Sequence, residues 1–216
     1  RTPEKIITDS KVNDAKKALA LWDDFYKRNE MDVDDAYFET VMNQLKALPE
    51  KLERVLEQEE HIAQIAEKIY RNNNVFFIGR GMDASIAYEG SLKLKEISYI
   101  NSFAMAAGEL KHGTIALIEP GTLVIALAAQ EKLYEKMLSN IQEIKARGAL
   151  VIGVAKDNSD AIEKQSDMTI YIPDCIDEVS PVLEIVPLQI LAYHIARLRG
   201  CNIDKPKNLA KSVTVE

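Results

Sequence analysis

The stretch VFFIGRGMDASIAYEGSLKLKEISYI, residues 75–100, contains an apolar run, a glycine turn and a helical pattern in direct succession. Residues 75–78 are continuously apolar, which is typical of a strand buried on both faces of a sheet. Gly79 and Gly81 then permit a tight turn, and Asp83 can serve as the N-cap of the helix that follows. This succession predicts the first βα unit of an α/β fold.

Four more apolar runs with the length of strands follow this unit, and helical patterns lie between most of them. The predicted strands cover residues 103–105, 123–127, 150–154 and 168–172. The predicted helices cover residues 132–146, a short segment near 161–162, and about 182–199. Strands that alternate with helices favour right-handed βαβ units, and therefore a parallel sheet with helices on both faces.

The first 72 residues have apolar side chains at helical spacing and contain no strand pattern. Pro49 is expected to break this helical region or to open a new helix at its first turn. We therefore divide the chain into a helical leader, residues 1–45, and an α/β domain, residues 46–216.

Composition excludes several classes of protein. The 216 residues are 47% apolar with a formal net charge of -7, so a large core can form and a basic surface for nucleic acid is not expected. No apolar run reaches the roughly 18 residues that a membrane span needs, so we expect no membrane partner. Cys175, Cys201 and the three histidines lack the spacing of metal ligands. We therefore expect no metal, and a reducing compartment such as the cytoplasm.

Three charged residues of the first predicted α/β helix share one face, because Glu89, Lys93 and Glu96 lie at positions i, i+4 and i+7. Such a group is most often a solvated surface with helix salt bridges. The functional alternative is the mouth of a cleft, where Lys93 keeps Glu96 ionised and ready to accept a proton. Spacing alone leaves both interpretations open and favours the solvated surface.

Two further residues are candidates for chemistry. His112 lies in the loop segment AAGELKHG, residues 106–113, and imidazole titrates near neutral pH, so it can act as a general acid or base. Lys211 lies in the terminal segment NLAKSVTVE, residues 208–216, where apolar neighbours could fix it in a cleft as a Schiff-base nucleophile. The alternatives are an ordinary surface histidine and a frayed terminus.

Residues 79–84 also match the GxGxxA pattern of dinucleotide-binding turns. The acidic partner expected at the end of the second strand is missing, because no acidic residue occurs from Ser98 to Gly108. Close contact between strand and helix explains a glycine turn equally well. A nucleotide-binding protein is therefore the least favoured alternative.

Four segments taken together resemble the isomerase half of the glucosamine-6-phosphate synthase family. The resemblance covers roughly residues 40–216 and is carried by EGSLKLKEISYI (89–100), AAGELKHG (106–113), VPLQILAYHIARLRG (186–200) and NLAKSVTVE (208–216). It implies a three-layer α/β/α sugar-isomerase (SIS) domain with a flavodoxin-like parallel sheet of about five strands and an N-terminal helical extension. The leader could then be the end of a preceding SIS domain.

The resemblance also implies roles for the candidate residues. Glu96 would move a proton between C1 and C2 of the open-chain sugar, with Lys93 and Glu89 beside it in the site. His112 would assist sugar ring opening in the site of a partner subunit, which implies a homodimer. Lys211 would form an imine with C2 of the ketose. The implied reaction converts fructose 6-phosphate and glutamine-derived ammonia into glucosamine 6-phosphate without a cofactor, and a glutaminase domain would belong to a longer chain.

This sequence departs from the family pattern at two points. Lys207 stands where the family usually has arginine, and the two are not equivalent if that residue binds a carboxylate in a bidentate manner. The serine- and threonine-rich sugar-phosphate loop has no counterpart, and residues 1–40 match the preceding domain poorly. We therefore expect this chain alone to be weak or inactive as an isomerase. The alternative function is a non-catalytic SIS module that binds a sugar phosphate.

Overall fold

A five-stranded parallel sheet forms the centre of the computed structural model, which describes residues 35–157 and 159–208. The spatial order is β2-β1-β3-β4-β5, as in a flavodoxin-like sheet, and every neighbouring pair is parallel. The predicted fold class and all five predicted strands are confirmed. The strands are β1 (Asn74–Gly79), β2 (Asn101–Ala106), β3 (Leu123–Leu127), β4 (Leu150–Lys156) and β5 (Met168–Ile172).

Helices connect the strands and cover both faces of the sheet. The helices are α1 (Asp35–Leu56), α2 (Glu59–Ile69), α3 (Met82–Ser98), α4 (Tyr134–Lys145), α5 (Asp160–Gln165) and α6 (Ser180–Leu198). Short 3-10 segments cover Ala107–His112, Thr114–Leu117 and Glu131–Leu133. In the described part of the chain, no helix is both long enough and apolar enough to span a bilayer.

Each strand contributes to two separate cores, because successive side chains point to opposite faces. On β1, Val75 and Phe77 pack in the core beneath α2, α3 and α6, whereas Ile78 packs in the core beneath α4 and α5. On β3, Ile125 packs in the first of these cores and Val124 in the second. Full burial on both faces explains the continuously apolar strand sequences, since each buried large side chain contributes roughly 1.5–3 kcal/mol.

The expected effect of Pro49 is wrong, because this proline lies inside the continuous helix α1. The helical region is interrupted later, between Leu56 and Glu59. Contacts within the chain divide it between Asn43 and Gln44, so the sheet and helices α2 to α6 belong to the second unit, whereas α1 begins in the first. The predicted leader, residues 1–45, falls mostly outside the described residues, so its extent and its relation to a preceding domain stay predictions.

The turn after β1 brings α3 unusually close to the strand. A β-carbon on Gly79 would lie 2.5 Å from the carbonyl carbon of Asp83, so only glycine fits there. Gly81 has a φ of 57° and is the N-cap of α3. The expected capping role of Asp83 is therefore wrong. Its Oδ2 instead accepts the backbone N–H groups of Ala129 and Gln130, at 2.9 and 3.3 Å, just beyond β3.

Candidate active site

The three charged residues predicted to share a face of α3 are in contact. The ammonium group of Lys93 lies 2.8 Å from Oε2 of Glu96 and 3.4 Å from Oε1 of Glu89. The hydrogen bond from Lys93 to Glu96 is the main cause that raises the pKa of Lys93, although partial burial opposes it. The result is one cation held between two carboxylates on a single helix.

Packing of the opposite face of α3 determines where this cluster points. The buried residues of the helix include Ala87, Gly90 and Leu94, which face the sheet and α6. A β-carbon on Gly90 would lie 2.6 Å from Cδ1 of Leu188, so the two helices approach closely. Because 3.6 residues complete a turn, the charged residues are directed away from this contact and stay partly open to solvent. The Glu96 side chain is 29% exposed, which shields the carboxylate but leaves it accessible.

His112 is exposed and ends the 3-10 segment that follows β2, rather than lying in an irregular loop. Its neighbour Lys111 forms a 2.8 Å ion pair with Glu143 of α4, and Gly113 turns the chain with a φ of 147°. Within residues 35–157 and 159–208, no hydrogen bond or ion pair joins His112 to Glu96. The single chain therefore does not assemble the histidine with the carboxylates.

Lys211 lies outside the described residues, but the segment that leads to it is described as far as Asn208. The backbone N–H of Lys207 donates to the hydroxyl of Tyr99 at 2.8 Å. The ammonium group of Lys207 also lies 5.2 Å from the centre of the Tyr99 ring. Tyr99 is the C-cap of α3, so the terminal segment is attached to the helix that carries Glu96.

A buried acidic pair near the carboxyl end of the sheet was not predicted. Asp83 is 2% exposed and Glu184 is fully buried. Apart from each other's carboxyl groups and the Ser180 hydroxyl, the carboxylate oxygens of Glu184 and Oδ1 of Asp83 lack a hydrogen-bond partner in the described part of the chain. Burial raises the pKa of Asp83 from 3.8 to about 6, and burial followed by the charge of Asp83 raises the pKa of Glu184 well above its ordinary value. Glu184 is therefore the group that retains a proton.

A sequence signal for this pair existed. Glu184 is the one acidic residue inside the apolar helix SPVLEIVPLQILAYHIARL, residues 180–198, and an isolated charge in such a run indicates burial. The sequence pattern around Asp83 predicted a helix N-cap and not a buried acid. A neighbouring ion pair between Lys156 and Asp177, at 3.0 Å, is also largely buried. Among the described residues, no hydrogen bond or ion pair joins these four residues to the cluster on α3, and Asp83 links the start of α3 to the segment after β3.

A cleft of about 620 Å³ opens at the carboxyl ends of β3 and β4, where parallel α/β sheets commonly bind ligands. Its lining includes four acidic side chains and one lysine: Glu131, Glu135, Asp160, Asp174 and Lys156. This excess of negative charge disfavours a phosphorylated ligand in the cleft.

The family whose pattern matches this chain is the SIS domain, over residues 68–199. The isomerizing glutamine–fructose-6-phosphate aminotransferase of Caldanaerobacter subterraneus subsp. tengcongensis is 57% identical over 176 residues, which cover 82% of this chain and 29% of the relative. The enzyme of the same name from Clostridium acetobutylicum is 47% identical over 192 residues, which cover 89% and 32%. This chain thus spans about three tenths of the length of these relatives.

Solved structures agree with this similarity. The C-terminal domain of glucosamine-fructose-6-phosphate aminotransferase from Francisella tularensis superposes with a TM-score of 0.75 at 34% identity, covering 81% of this chain and 49% of that one. The sugar isomerase domain of an RpiR transcription factor from Sphaerobacter thermophilus gives a TM-score of 0.62 at 19% identity, covering 77% and 93%. The second likeness concerns the fold alone, which therefore does not separate an enzyme from a regulator.

Proposed function

This chain belongs to the SIS domain family, and we propose that it is the isomerase portion of an isomerizing glutamine–fructose-6-phosphate aminotransferase. Its reaction would form glucosamine 6-phosphate from fructose 6-phosphate and ammonia derived from glutamine. The observation that carries the proposal is the contact of Lys93 with Glu96 and Glu89, at the motif positions that the resemblance assigns to the reacting sugar. A 57% identity to an enzyme of this name supports it.

The proposed chemistry begins with Lys211. Its amine adds to the C2 carbonyl of open-chain fructose 6-phosphate, and loss of water leaves an imine. Ammonia then adds to C2 and releases the lysine amine, so the sugar carries the new nitrogen. The imine nitrogen can accept the electron pair released when a proton leaves C1, which makes that proton acidic.

Glu96 is the base that removes the C1 proton in this scheme. The carboxylate gains the proton, the electrons of the C1–H bond form a C1–C2 double bond, and the imine nitrogen takes up a proton from water. Glu96 then returns its proton to C2 while the C1 hydroxyl loses its proton to water, which leaves an aldehyde at C1 and completes the 2-amino aldose. Lys93, at 2.8 Å, is the cation that faces this carboxylate before it takes up the C1 proton and again after it has released the proton to C2.

The proposal assigns sugar ring opening to His112 in the site of a second subunit, and hence an obligate homodimer. It agrees with the exposure of His112 and with the lack of a hydrogen bond or ion pair between this residue and Glu96 among the described residues. A glutaminase domain that supplies ammonia is part of the proposal for the longer protein. No cofactor or metal enters the scheme.

The test is to trap the imine. The chain is incubated with fructose 6-phosphate and reduced with borohydride, and the adduct is located by peptide mass spectrometry. We expect a hexitol phosphate mass on Lys211 and its loss in Lys211→Arg, whose guanidinium does not form an imine. Lys205→Arg is the matched control, because this exposed lysine lies in the same terminal segment.

The same experiment separates the proposal from its rival, a non-catalytic module that binds a sugar phosphate. That module would bind fructose 6-phosphate, as detected by calorimetry, and give no adduct on Lys211 after reduction. Binding without an adduct would reject the enzyme. An adduct spread equally over the exposed lysines would reject it as well.

A further inference from the structure

Tyr99 has an unusual backbone conformation directly after the helix that carries Glu96. Its φ and ψ are 59° and 20°, in the left-handed region, and its N–H still donates to the carbonyl of Lys95 as the C-cap of α3. Glycine or asparagine normally occupies such a cap, because a larger side chain is strained there. A tyrosine at this position needs a compensating contact, and strain of this kind is concentrated at functional sites.

The side chain of Tyr99 supplies that contact. Its hydroxyl accepts the backbone N–H of Lys207 at 2.8 Å, and its ring lies beneath the ammonium group of Lys207 at 5.2 Å. One residue therefore binds the terminal segment through a hydrogen bond and a cation–π interaction at once. Lys207 precedes Lys211 by four residues, and Tyr99 follows Glu96 by three.

The rest of the segment supports the same attachment. The N–H of Cys201 donates to the carbonyl of Ala196, and its thiol lies 3.8 Å from the carbonyl of Ser98. The segment thus crosses the ends of α3 and α6, whose carbonyl groups carry partial negative charge. A cavity of about 520 Å³ beneath it is lined by cationic side chains but by no acidic one: Arg199, Lys205 and Lys207.

We propose that Tyr99 is a positioning residue that holds the carboxyl-terminal segment against α3. Lys211 would thereby be placed near the sugar whose C1 proton is removed by Glu96, a residue of the same helix. The inference rests on the proposed function for the role of Lys211, but its contacts belong to described residues. The left-handed backbone directs the tyrosine ring out of the helix and toward Lys207. The ammonium group of Lys207 supplies the cation that lies against the ring.

The first arm of the test measures hydrogen exchange of the Lys207 amide by mass spectrometry with electron-transfer fragmentation. Tyr99→Phe removes the acceptor and keeps the ring, so the amide is expected to exchange about tenfold faster. Tyr99→Asn removes ring and hydroxyl but suits the left-handed backbone. We expect faster exchange at Lys207 together with an unchanged or higher melting temperature, a combination that loss of general stability would not produce. Tyr88→Phe, an exposed tyrosine on the same helix, is the control.

The second arm measures how fast the borohydride-trapped adduct forms on Lys211 at saturating fructose 6-phosphate. We expect slower formation in Tyr99→Asn, an intermediate rate in Tyr99→Phe, and the normal rate in Tyr88→Phe. Lys207→Met should also slow adduct formation, whereas Lys207→Arg should leave its rate unchanged, because arginine also binds an aromatic face.

The two arms separate failure of this inference from failure of the proposed function. If the unaltered chain binds fructose 6-phosphate but gives no adduct on Lys211, the proposed function fails, and the exchange of the Lys207 amide still decides whether Tyr99 holds the segment. If the adduct forms at the same rate in Tyr99→Asn, Tyr99 is not a positioning residue. Unchanged exchange of Lys207 in Tyr99→Phe would overturn the inference by itself.

Discussion

Lys93 and Glu96 form a 2.8 Å ion pair in which about 70% of each side chain is shielded from solvent. If Glu96 moves the C1 proton, Glu96→Gln should slow solvent deuterium entry at C1 of fructose 6-phosphate by at least ~100-fold. NMR of the sugar measures this step even when turnover is slow. A loss of less than about threefold would contradict the assigned role.

Removal of Lys93 should have a smaller effect on the same exchange. Lys93→Met leaves the Glu96 carboxylate in place but without its cation, and we expect a loss of roughly tenfold. The free energy of unfolding should change by no more than about 1 kcal/mol, because the pair is partly exposed. Lys95→Met is the matched control, since Lys95 is exposed and lies on another face of α3.

The buried acidic pair predicts an unusual dependence of stability on pH. Asp83 and Glu184 both have a raised pKa, so the folded state binds more protons than the unfolded chain. Their contribution to stability is complete below pH 3.8 and is lost as the pH rises through about 6 and beyond. We therefore expect Glu184→Gln to stabilise the protein at pH 8 and to flatten this dependence.

Urea unfolding from pH 4 to pH 8 tests this prediction. The gain at pH 8 should be on the order of 1–3 kcal/mol and should vanish near pH 4, where the native glutamic acid is already neutral. Glu60→Gln is the control, because that glutamate is exposed on α2. An equal gain at every pH would point to packing instead of ionisation.

Alanine substitution should destabilise the protein much more at Gly79 than at Gly90. Gly79→Ala sets a β-carbon 2.5 Å from backbone atoms that cannot move independently, whereas Gly90→Ala meets the flexible end of Leu188. We expect a loss of roughly 3 kcal/mol or more for Gly79→Ala and about 1 kcal/mol for Gly90→Ala. Thermal unfolding of the two variants provides the comparison, and equal losses would contradict it.

The chain alone should convert fructose 6-phosphate to glucose 6-phosphate slowly or not at all. Its sequence lacks the serine- and threonine-rich loop, and the cleft at the carboxyl ends of β3 and β4 is acidic. A coupled dehydrogenase assay measures the product. Conversion at the rate of a full-length aminotransferase would show that phosphate is bound elsewhere in these 216 residues.

Local sequence was sufficient for the fold and for part of the site. Strands such as β3 and β4 are buried on both faces, so they occur in the sequence as short apolar runs, and their length distinguishes them from helices. The Glu89, Lys93 and Glu96 cluster follows from helical spacing, which is also a local property. The wrong expectations concern Pro49 and Asp83, since a proline can be accommodated in a long helix and an acid can bind a distant backbone.

The remaining features depend on tertiary structure. The bond from Lys207 to Tyr99 joins residues 108 positions apart, and no periodicity connects them. The burial of Glu184 depends on how α6 lies against the first turn of α3, which only the packing of helices determines. The assignments of His112 and Lys211 come from the family resemblance, and they stay predictions.

Helix α3 positions three groups at fixed angles around its axis: Asp83 at its start, the charged cluster in its middle and Tyr99 at its end. Insertion or deletion of one residue within it would rotate everything downstream by about 100°. A relative that keeps these three groups in place can thus have substitutions along α3 but no insertion or deletion within it. A gap in this stretch of an alignment would therefore indicate a change of chemistry.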